Sequence, residues 1–152
     1  MCGLVGFVIT NADDAVLSTD VTIKKYLRYF ERALLLDVVR GEDATGVAAV
    51  FEDGCEVMKK AMPSYDFLEL RKSQKFIYQD VSNTRAMLGH NRAATQGAVN
   101  NNNSHPFTHG NITLMHNGTL YSEYGLVGDF EVDSENICFT IASAKDQKEV
   151  ID

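Results

Sequence analysis

The cysteine at position two is the residue whose place in the sequence most directly suggests chemistry. Cys2 precedes Gly3 and a hydrophobic stretch, and a side chain this small permits removal of Met1. The α-amino group exposed by that cleavage titrates at about pH 8 in small peptides, so part of it is unprotonated at neutral pH. Cys2 could then supply both a thiol nucleophile and the amine that accepts the thiol proton. The alternative interpretation is that Cys2 is an incidental small residue at the start of a strand.

The other cysteines and the histidines do not form a metal-binding or disulfide pattern. The chain has three widely spaced cysteines, whereas a disulfide framework requires an even number and a zinc site requires closely spaced pairs. His105 and His109 are four residues apart, but the intervening proline argues against a helix that would present both on one face. We therefore expect no metal and no cofactor, and we expect Cys55 and Cys138 to be small core residues.

Two glycine-containing segments each carry one arginine. In the segment 40–46, Arg40 stands where a helix is expected to end, and a cation there interacts favourably with the helix dipole. The segment 89–97 continues a predicted strand into a loop of small residues, in which the Arg92 guanidinium could bind a carboxylate through two parallel hydrogen bonds. The alternatives are a helix end followed by a turn, and an arginine on the surface.

Two later segments suggest sites for an oxyanion and for an ammonium group. Asn117 and Gly118 end a predicted strand, where Asn-Gly is a strong turn signal. The Asn117 amide and the Gly118 N–H could instead both donate to a developing negative charge, as in an oxyanion hole. Asp133 precedes a predicted helix, so its carboxylate either caps that helix or pairs with the ammonium of a ligand.

The pattern of apolar residues predicts the elements that must position these side chains. Residues 4–10 are rich in β-branched and aromatic side chains and predict a buried strand close to the N-terminus. A helix follows whose apolar residues recur at spacings of three and four. Those residues are Ile23, Leu27, Phe30, Leu34 and Val38. An Asp-Gly turn at 53–54 predicts a hairpin. The remaining elements are a helix at 64–79, strands at 85–91 and 112–116, a polar loop at 98–111 and a last helix, an α+β mixture.

Composition and charge exclude several classes of function. The 152 residues are 45% hydrophobic and 23% charged, which is ordinary for one globular domain. With 14 basic and 21 acidic residues the net charge is −7, so we expect binding neither to nucleic acid nor to an anionic membrane. The apolar run at 4–9 is far shorter than the roughly 20 residues that span a bilayer, and no basic segment precedes it. We therefore expect a cytoplasmic protein.

The order of the motifs resembles that of a known family. The segments concerned are 1–6, 40–46, 89–97, 103–106, 116–118 and 133–135, which together run through nearly the whole chain. In this order they are similar to the class II glutaminase domains of the N-terminal-nucleophile hydrolases, most of all to the glucosamine-6-phosphate synthase type. Each motif alone is weakly specific, but all of them in the same order favour the catalytic interpretation over the alternatives.

The resemblance implies a covalent mechanism for the hydrolysis of glutamine. Cys2 would attack the side-chain amide, form a thioester and release ammonia. Asn117 and Gly118 would stabilise the tetrahedral oxyanion. Removal of Met1 would be required, because an unprocessed Met1 holds the amine of Cys2 in a peptide bond.

The resemblance also implies roles in substrate binding. Arg92 would bind the α-carboxylate of glutamine, assisted by the backbone of Thr95. Asp133 and the Gly118 carbonyl would receive the α-ammonium group. Arg40 would position the N-terminal strand without contacting the substrate.

The implied fold is a four-layer αββα sandwich, formed by a single domain over residues 1–152. The family continues into further strands of the second sheet, so the resemblance implies a domain that would be truncated at its C-terminus. Two interpretations follow: the second sheet is reduced, or another chain completes the fold and takes the ammonia. That partner would be a separate synthase or transferase chain, or a further copy of this chain in a homo-oligomer.

Two positions depart from the family pattern. Ala93 stands where tryptophan is usual and Gln96 stands where histidine is usual, both in the loop expected to cover glutamine. These two positions could alter closure of the loop and favour the first of two further hypotheses beside the amidotransferase. One is a non-catalytic scaffold that acts as a binding or regulatory protein. The other is an amidohydrolase that acts on a different γ-glutamyl substrate.

Overall fold

The computed structural model describes residues 1–10, 20–120 and 126–144. Within them the chain folds into two antiparallel sheets and four α-helices, which confirms the α+β class. The larger sheet contains β1 (Gly3–Val8), β2 (Ala44–Val50), β3 (Cys55–Lys60) and β4 (Ala86–Arg92), and the smaller contains β5 (Phe107–His109) and β6 (Ile112–Leu114). The helices are α1 (Asp20–Leu36), α2 (Ser64–Glu69), α3 (Arg71–Ile77) and α4 (Asp133–Ser143). None of these helices is long and apolar enough to cross a membrane.

The order of strands in the larger sheet brings the N-terminus beside two later segments. The strands lie in the order β1-β4-β2-β3, so β4 has a neighbour on each side. Gly3 of β1 pairs with Asn91 of β4, and Ala44 of β2 pairs with Arg92. The start of β1, the end of β4 and the start of β2 therefore meet at one end of the sheet. Cys2, the residue before β1, lies at this end.

Helix α1 covers one face of the larger sheet because one of its own faces is apolar. Its buried residues are Ile23, Leu27, Phe30 and Leu34, as their spacing predicted. They join Val47 and Met87 of the sheet in the main hydrophobic cluster. The fifth predicted residue, Val38, lies beyond α1 in a short 3₁₀-helix (Asp37–Arg40) and is only half-buried.

The smaller sheet lies on the opposite face of the larger one. Neighbouring residues of a strand point to opposite faces, and β4 shows both environments. A Cβ at Gly89 would lie 3.0 Å from the Leu34 side chain of α1, whereas the next residue, His90, stacks on His105 in the segment before β5. Helix α4 packs on β5 and β6 around the buried Cys138. This order is consistent with the predicted αββα sandwich, whose second sheet has two strands of three residues in the described part of the chain.

Several boundaries differ from the sequence-based prediction. The hairpin at 53–54 is confirmed, but the predicted helix at 64–79 is two helices, because Leu70 between them has an extended backbone. Strand β6 ends at Leu114, so the segment 115–118 is not part of it. Strand β5 lies within the segment predicted to be a loop, since a strand of three residues is too short to show an alternating pattern.

The cysteines that were expected in the core differ in burial. Cys138 is buried in α4, and its thiol donates to the carbonyl oxygen of Phe107 at 3.4 Å. Cys55 is exposed at the start of β3, so the prediction that it is a core residue was wrong. Strand β3 is at the edge of the larger sheet and its first three residues are all exposed, which explains the difference.

An apolar groove opens between the two sheets along the edge strand β1. It has a volume of about 700 Å³ and is lined by residues 4–8, Leu88 and residues 113–115. Leu4 and Val8, which project on this side of β1, are 49% and 68% exposed. Within the described residues β1 pairs only with β4, so its outer edge is free. An uncharged, unpaired edge beside an apolar groove is a surface that proteins normally cover.

Candidate active site

The thiol of Cys2 lies against the main chain of one residue just after β4. Its Sγ accepts a hydrogen bond from the N–H of Ala93 at 3.4 Å and lies 3.5 Å from the carbonyl oxygen of the same residue, to which it can donate. This contact follows from the register of the sheet, since Gly3 pairs with Asn91. The main chain of Ala93 therefore fixes the position of the Cys2 sulfur. Cys2 is only half-buried, so its thiol is both positioned and accessible.

The start of β1 packs against the segment that ends α1. A Cβ at Gly3 would lie 1.7 Å from Oδ2 of Asp37, so no larger residue fits there without displacing that carboxylate. The Nδ2 group of Asn91, opposite Gly3, donates to the Leu34 carbonyl at 2.8 Å and to the Asp37 carboxylate at 3.3 Å. Arg40 ends the same segment, but its exposed side chain makes no hydrogen bond or ion pair with the described residues. Its supporting role stays a prediction.

Arg92 is buried at the end of β4, and its guanidinium holds the loop that follows. It donates to the carbonyl oxygens of Gln96, Gly97 and Ala98, the last at 3.2 Å. Burial lowers the pKa of Arg92, whereas nearby acidic groups raise it. The guanidinium remains charged, because the ordinary pKa of arginine lies far above neutrality. The site therefore contains a buried cation, and some of its N–H donors are already bonded to carbonyl oxygens of the loop that follows β4.

Asp133 is the first residue of α4, and its carboxylate faces two main-chain donors. It accepts hydrogen bonds from the N–H of Leu120 at 2.6 Å and from the N–H of Ser134 at 2.7 Å. The N-cap position belongs to Val132, which makes no side-chain cap bond, so the predicted N-cap at Asp133 was one residue out. The carboxylate still stabilises the positive end of the helix dipole.

His116 connects α4 to the turn that carries Asn117 and Gly118. Its Nδ1 lies 3.0 Å from Oγ of Ser134, and its carbonyl oxygen lies 3.2 Å from Nε2 of His90. A Cβ at Gly118 would lie 2.4 Å from Nε2 of His116, so the turn folds closely over this ring. Asn117 and Gly118 are exposed, and neither the Asn117 amide nor the Gly118 N–H is bonded to another described residue. Two donors therefore have no partner at this bend within the described part of the chain.

Cys2 lies between a small cavity and a larger cleft. The cavity has a volume of about 20 Å³ and the cleft a volume of about 200 Å³. The predicted site residues on the cavity are Cys2, Arg92, Thr95, Gly118 and Asp133. Those on the cleft are Cys2, Thr95, Asn117 and Gly118, next to Met1. The structure brings together all the residues predicted for catalysis and substrate binding, and only the supporting Arg40 lies apart.

The histidines near the cavity do not form a metal site. His105 lines the cavity and is buried, but neither of its ring nitrogens has a hydrogen-bond partner among the described residues. In the same part of the chain, no three His, Cys, Asp or Glu side chains are grouped so that they could hold a metal ion. The charged side chains that line the cavity among the described residues are the Arg92 guanidinium and the Asp133 carboxylate.

The residues that sequence reasoning missed support the main chain of the site. Asp43 accepts a hydrogen bond from the N–H of Ala94 at 2.7 Å, across 51 positions of sequence. Lys59 of β3 donates to three carbonyl oxygens of the loop before β5. No local pattern marks such contacts, because each joins segments that only the fold brings together. The single available signal was the glycine on either side of the segment that carries Asp43.

Comparison with known proteins gives a consistent assignment. No family model matches the chain. The glutamine–fructose-6-phosphate aminotransferase (isomerizing) of Sulfurisphaera tokodaii is 33% identical over 122 residues, which are 79% of this chain and 18% of that protein. The proteins of the same name from Staphylococcus aureus strain Mu50 and Staphylococcus epidermidis are 31% and 33% identical, over 86% and 88% of this chain and 19% of their own length.

The chain thus spans about a fifth of the length of the relatives it matches. The similarity covers most of this chain. In the structure, a cysteine, an arginine, an aspartate and an Asn-Gly pair from this chain lie around one cavity and one cleft. The chain is therefore related to the class II, N-terminal-nucleophile glutamine amidotransferase domain of the glucosamine-6-phosphate synthase type.

Proposed function

We propose that this chain is a glutaminase domain in which Cys2 hydrolyses the side-chain amide of glutamine and the ammonia passes to an acceptor. After removal of Met1, the free amine of Cys2 accepts the thiol proton and the sulfur attacks the amide carbon. The tetrahedral intermediate collapses as the leaving nitrogen is protonated, which gives ammonia and a thioester. Water then hydrolyses the thioester, which releases glutamate and regenerates the thiol.

The charges around the thiol are the observation that carries this proposal. Arg92 and Asp133 line the same cavity as Cys2. A guanidinium and a carboxylate on one cavity suit a ligand that bears both a carboxylate and an ammonium group, as a free amino acid does. Glutamine held by its α-carboxylate and α-ammonium groups, which share one carbon, would present its side-chain amide to the Cys2 sulfur on the same cavity.

In this proposal Asn117 and Gly118 stabilise the oxyanion. Both line the cleft beside Cys2, and each has a donor that is unbonded among the described residues. Donors fixed in place before the reaction stabilise the developing charge by about 3 kcal/mol each. The close contact of Gly118 with the His116 ring supports the turn in a fixed position.

The cavity must open to admit glutamine. Its volume of about 20 Å³ has room for about one water molecule. The cleft reaches the same sulfur and is lined by Met1, so removal of Met1 widens it. The hydroxyl groups of Thr95 and Thr119, 3.4 Å apart, join the two loops that flank the cleft. We infer that glutamine approaches through the cleft and that residues 95–97, beyond the part of the loop bonded to Asp43, move to enlarge the cavity.

We further propose that residues 1–152 form one domain whose ammonia is used by a synthase- or transferase-type polypeptide. Ammonia is mostly protonated at neutral pH, and ammonium is not a nucleophile, so direct transfer to an acceptor preserves its reactivity. The relatives are far longer than the matched region, which leaves ample length for an acceptor site. The apolar groove along β1 is the surface that we expect this polypeptide to cover.

Glutamine hydrolysis by the purified chain tests the central proposal. Intact mass first establishes whether Met1 has been removed, and the processed protein should then release ammonia and glutamate in equal amounts. Cys2→Ala should abolish the release, whereas Cys55→Ala, at an exposed position outside the site, should not change it. Full activity in Cys2→Ala would refute the proposal. Sedimentation of the active protein tests whether it associates with a partner. A fully active monomer with no second chain bound would exclude the proposed association.

The small volume of the cavity favours one other candidate, a scaffold that binds ligand without hydrolysing it. Ala93 and Gln96 line this cavity, at the two positions where the family resemblance implies tryptophan and histidine. Calorimetric titration with glutamine separates the two functions. Binding without release of ammonia by the processed chain would favour the scaffold, and turnover would favour the glutaminase.

A further inference from the structure

Asp43 is bonded to the main chain on both sides of Ala93, the residue that contacts the catalytic thiol. Its N–H donates to the Arg92 carbonyl at 3.0 Å, and its Oδ2 accepts from the N–H of Ala94 at 2.7 Å. Between these two bonds, the N–H and the carbonyl of Ala93 lie 3.4 Å and 3.5 Å from Sγ of Cys2. Asp43 therefore holds the main chain that contacts the Cys2 sulfur.

The segment that carries Asp43 is also packed tightly against the same main chain. A Cβ at Gly41 would lie 2.3 Å from the carbonyl carbon of Arg92 and 2.4 Å from the nitrogen of Ala93. The φ angle of Gly41 is 179°, which is ordinary extended backbone, so the glycine is required for close approach and not for its conformation. Gly41 and Asp43 thus fix residues 92–94 by contact and by hydrogen bonding.

The side chain of Ala93 is a methyl group, so only its main chain can direct the thiol. A shift of that main chain moves the N–H that is directed at sulfur, and displacements of about 1 Å in a reacting group can cost roughly 100-fold in rate. We propose that Asp43 is a positioning residue, which sets the location and the hydrogen bonding of the Cys2 sulfur by fixing residues 92–94. This inference rests on the proposed function, because it concerns the same thiol.

Alkylation by iodoacetamide tests the positioning role without glutamine. The rate of modification is followed at Cys2 and at Cys55 by peptide mass, and the exposed Cys55 serves as a reference within the same molecule. We expect Asp43→Ala and Gly41→Ala each to slow the modification of Cys2 at pH 7 by about fivefold or more, because the sulfur loses the fixed position that the Ala93 N–H gives it. Asp43→Asn keeps a side-chain oxygen that can accept from Ala94, so its rate should stay within about twofold of the wild type.

Asp53→Ala is the matched control, because Asp53 lies in the exposed β2–β3 turn and has no side-chain partner among the described residues. It should leave the modification rate of both cysteines unchanged. In glutamine hydrolysis, Asp43→Ala should lower kcat by roughly 10- to 100-fold while KM changes by less than about threefold. A merely structural role would instead raise the reactivity of the buried Cys138 along with that of Cys2.

The outcomes separate this inference from the proposed function. If the wild-type chain does not hydrolyse glutamine, the proposed function fails, while the alkylation rates still decide the role of Asp43. A wild-type rate at Cys2 in Asp43→Ala would overturn the inference. So would equal impairment of Asp43→Ala and Asp43→Asn, because the charge and not the hydrogen bond would then be responsible. Rescue by Asp43→Asn alone supports it.

Discussion

The imidazole rings of His90 and His105 stack with their centroids 4.0 Å apart between the two sheets. The two residues are 1% and 3% exposed. Burial lowers the pKa of His90 to about 4, although its bond to the His116 carbonyl acts in the opposite direction. Burial also lowers the pKa of His105 to about 2, and the cations Arg92 and Lys59 add to this effect. Both rings are therefore neutral in the folded protein at neutral pH.

We expect the free energy of unfolding to decrease as the pH falls below about 6.5. An unfolded histidine has a pKa of 6.5, whereas the pKa values of His90 and His105 in the fold are about 4 and about 2. The unfolded chain then binds more protons than the folded one, and each ring contributes a loss of up to about 1.4 kcal/mol per pH unit. Urea unfolding at several pH values between 4.5 and 7.5, about the range of the transition, measures this slope.

A histidine variant tests whether these two rings cause the pH dependence of the free energy of unfolding. His105→Gln removes one of the two titrating groups, so the pH dependence below about 6.5 should be roughly halved whatever the change in absolute stability. An undiminished slope in this variant would show that other groups cause the acid sensitivity.

Arg92→Lys should weaken the binding of glutamine more than it slows turnover. Lysine keeps the positive charge, but it loses the planar fork that binds a carboxylate and at the same time holds the carbonyls of residues 96–98. We expect KM for glutamine to rise by about tenfold or more. Steady-state kinetics checks this, with the exposed Arg71→Lys as a control that should match the wild type. A lower kcat at unchanged KM would contradict the assignment.

Asn117→Ala should have the converse effect. The Asn117 amide lies on the cleft beside Cys2 and is proposed to act only when charge develops on the substrate oxygen. We expect kcat to fall by roughly 100- to 1,000-fold with little change in KM. Asn117→Asp replaces the amide donor with a carboxylate, whose negative charge repels the oxyanion, so its kcat should be no higher than that of Asn117→Ala. If KM rose and kcat were retained, Asn117 would be a binding residue and not an oxyanion donor.

The parts of the site that could be predicted from the sequence are those carried by short motifs. Cys2 follows from its position, and the change of chain direction at Gly118, which is a bend and not the predicted tight turn, follows from the Asn-Gly pair. The buried apolar face of α1 could also be predicted, because Leu27 and Leu34 recur at the spacing of residues on one helix face. In each case a few neighbouring residues contain the whole signal, so local physics is sufficient.

The parts that could not be predicted depend on pairing between distant segments. The bond from Ala94 to Asp43 exists because β2 and β4 are neighbours in the sheet, and nothing in the segment 40–46 specifies that register. The assignment of Cys55 to the core failed for a related reason. Cys55 directly follows the Asp-Gly turn and precedes Glu56, and no residue near it reveals that β3 is an edge strand, where its side chain meets solvent.

Lys59 holds the loop that leads into β5. Its Nζ donates to the carbonyl oxygens of Asn102, Ser104 and Pro106 at 3.1, 2.7 and 3.0 Å, and it lies 4.6 Å from the centre of the Phe107 ring. Burial lowers the pKa of this ammonium group. The same loop contains His105, which lines the cavity, so Lys59 links the outer hairpin to the floor of the site.

Lys59→Met should therefore destabilise the fold, although methionine has a similar length and fills the same space. The three carbonyls would lose a shared charged donor, and we expect the free energy of unfolding to fall by about 2–3 kcal/mol. Lys60→Met is the matched control, because Lys60 is the next residue of β3 and has no side-chain partner among the described residues. It should change stability by less than about 0.5 kcal/mol. Urea unfolding at neutral pH measures both variants, and equal losses in the two would show that the carbonyl contacts of Lys59 contribute nothing specific.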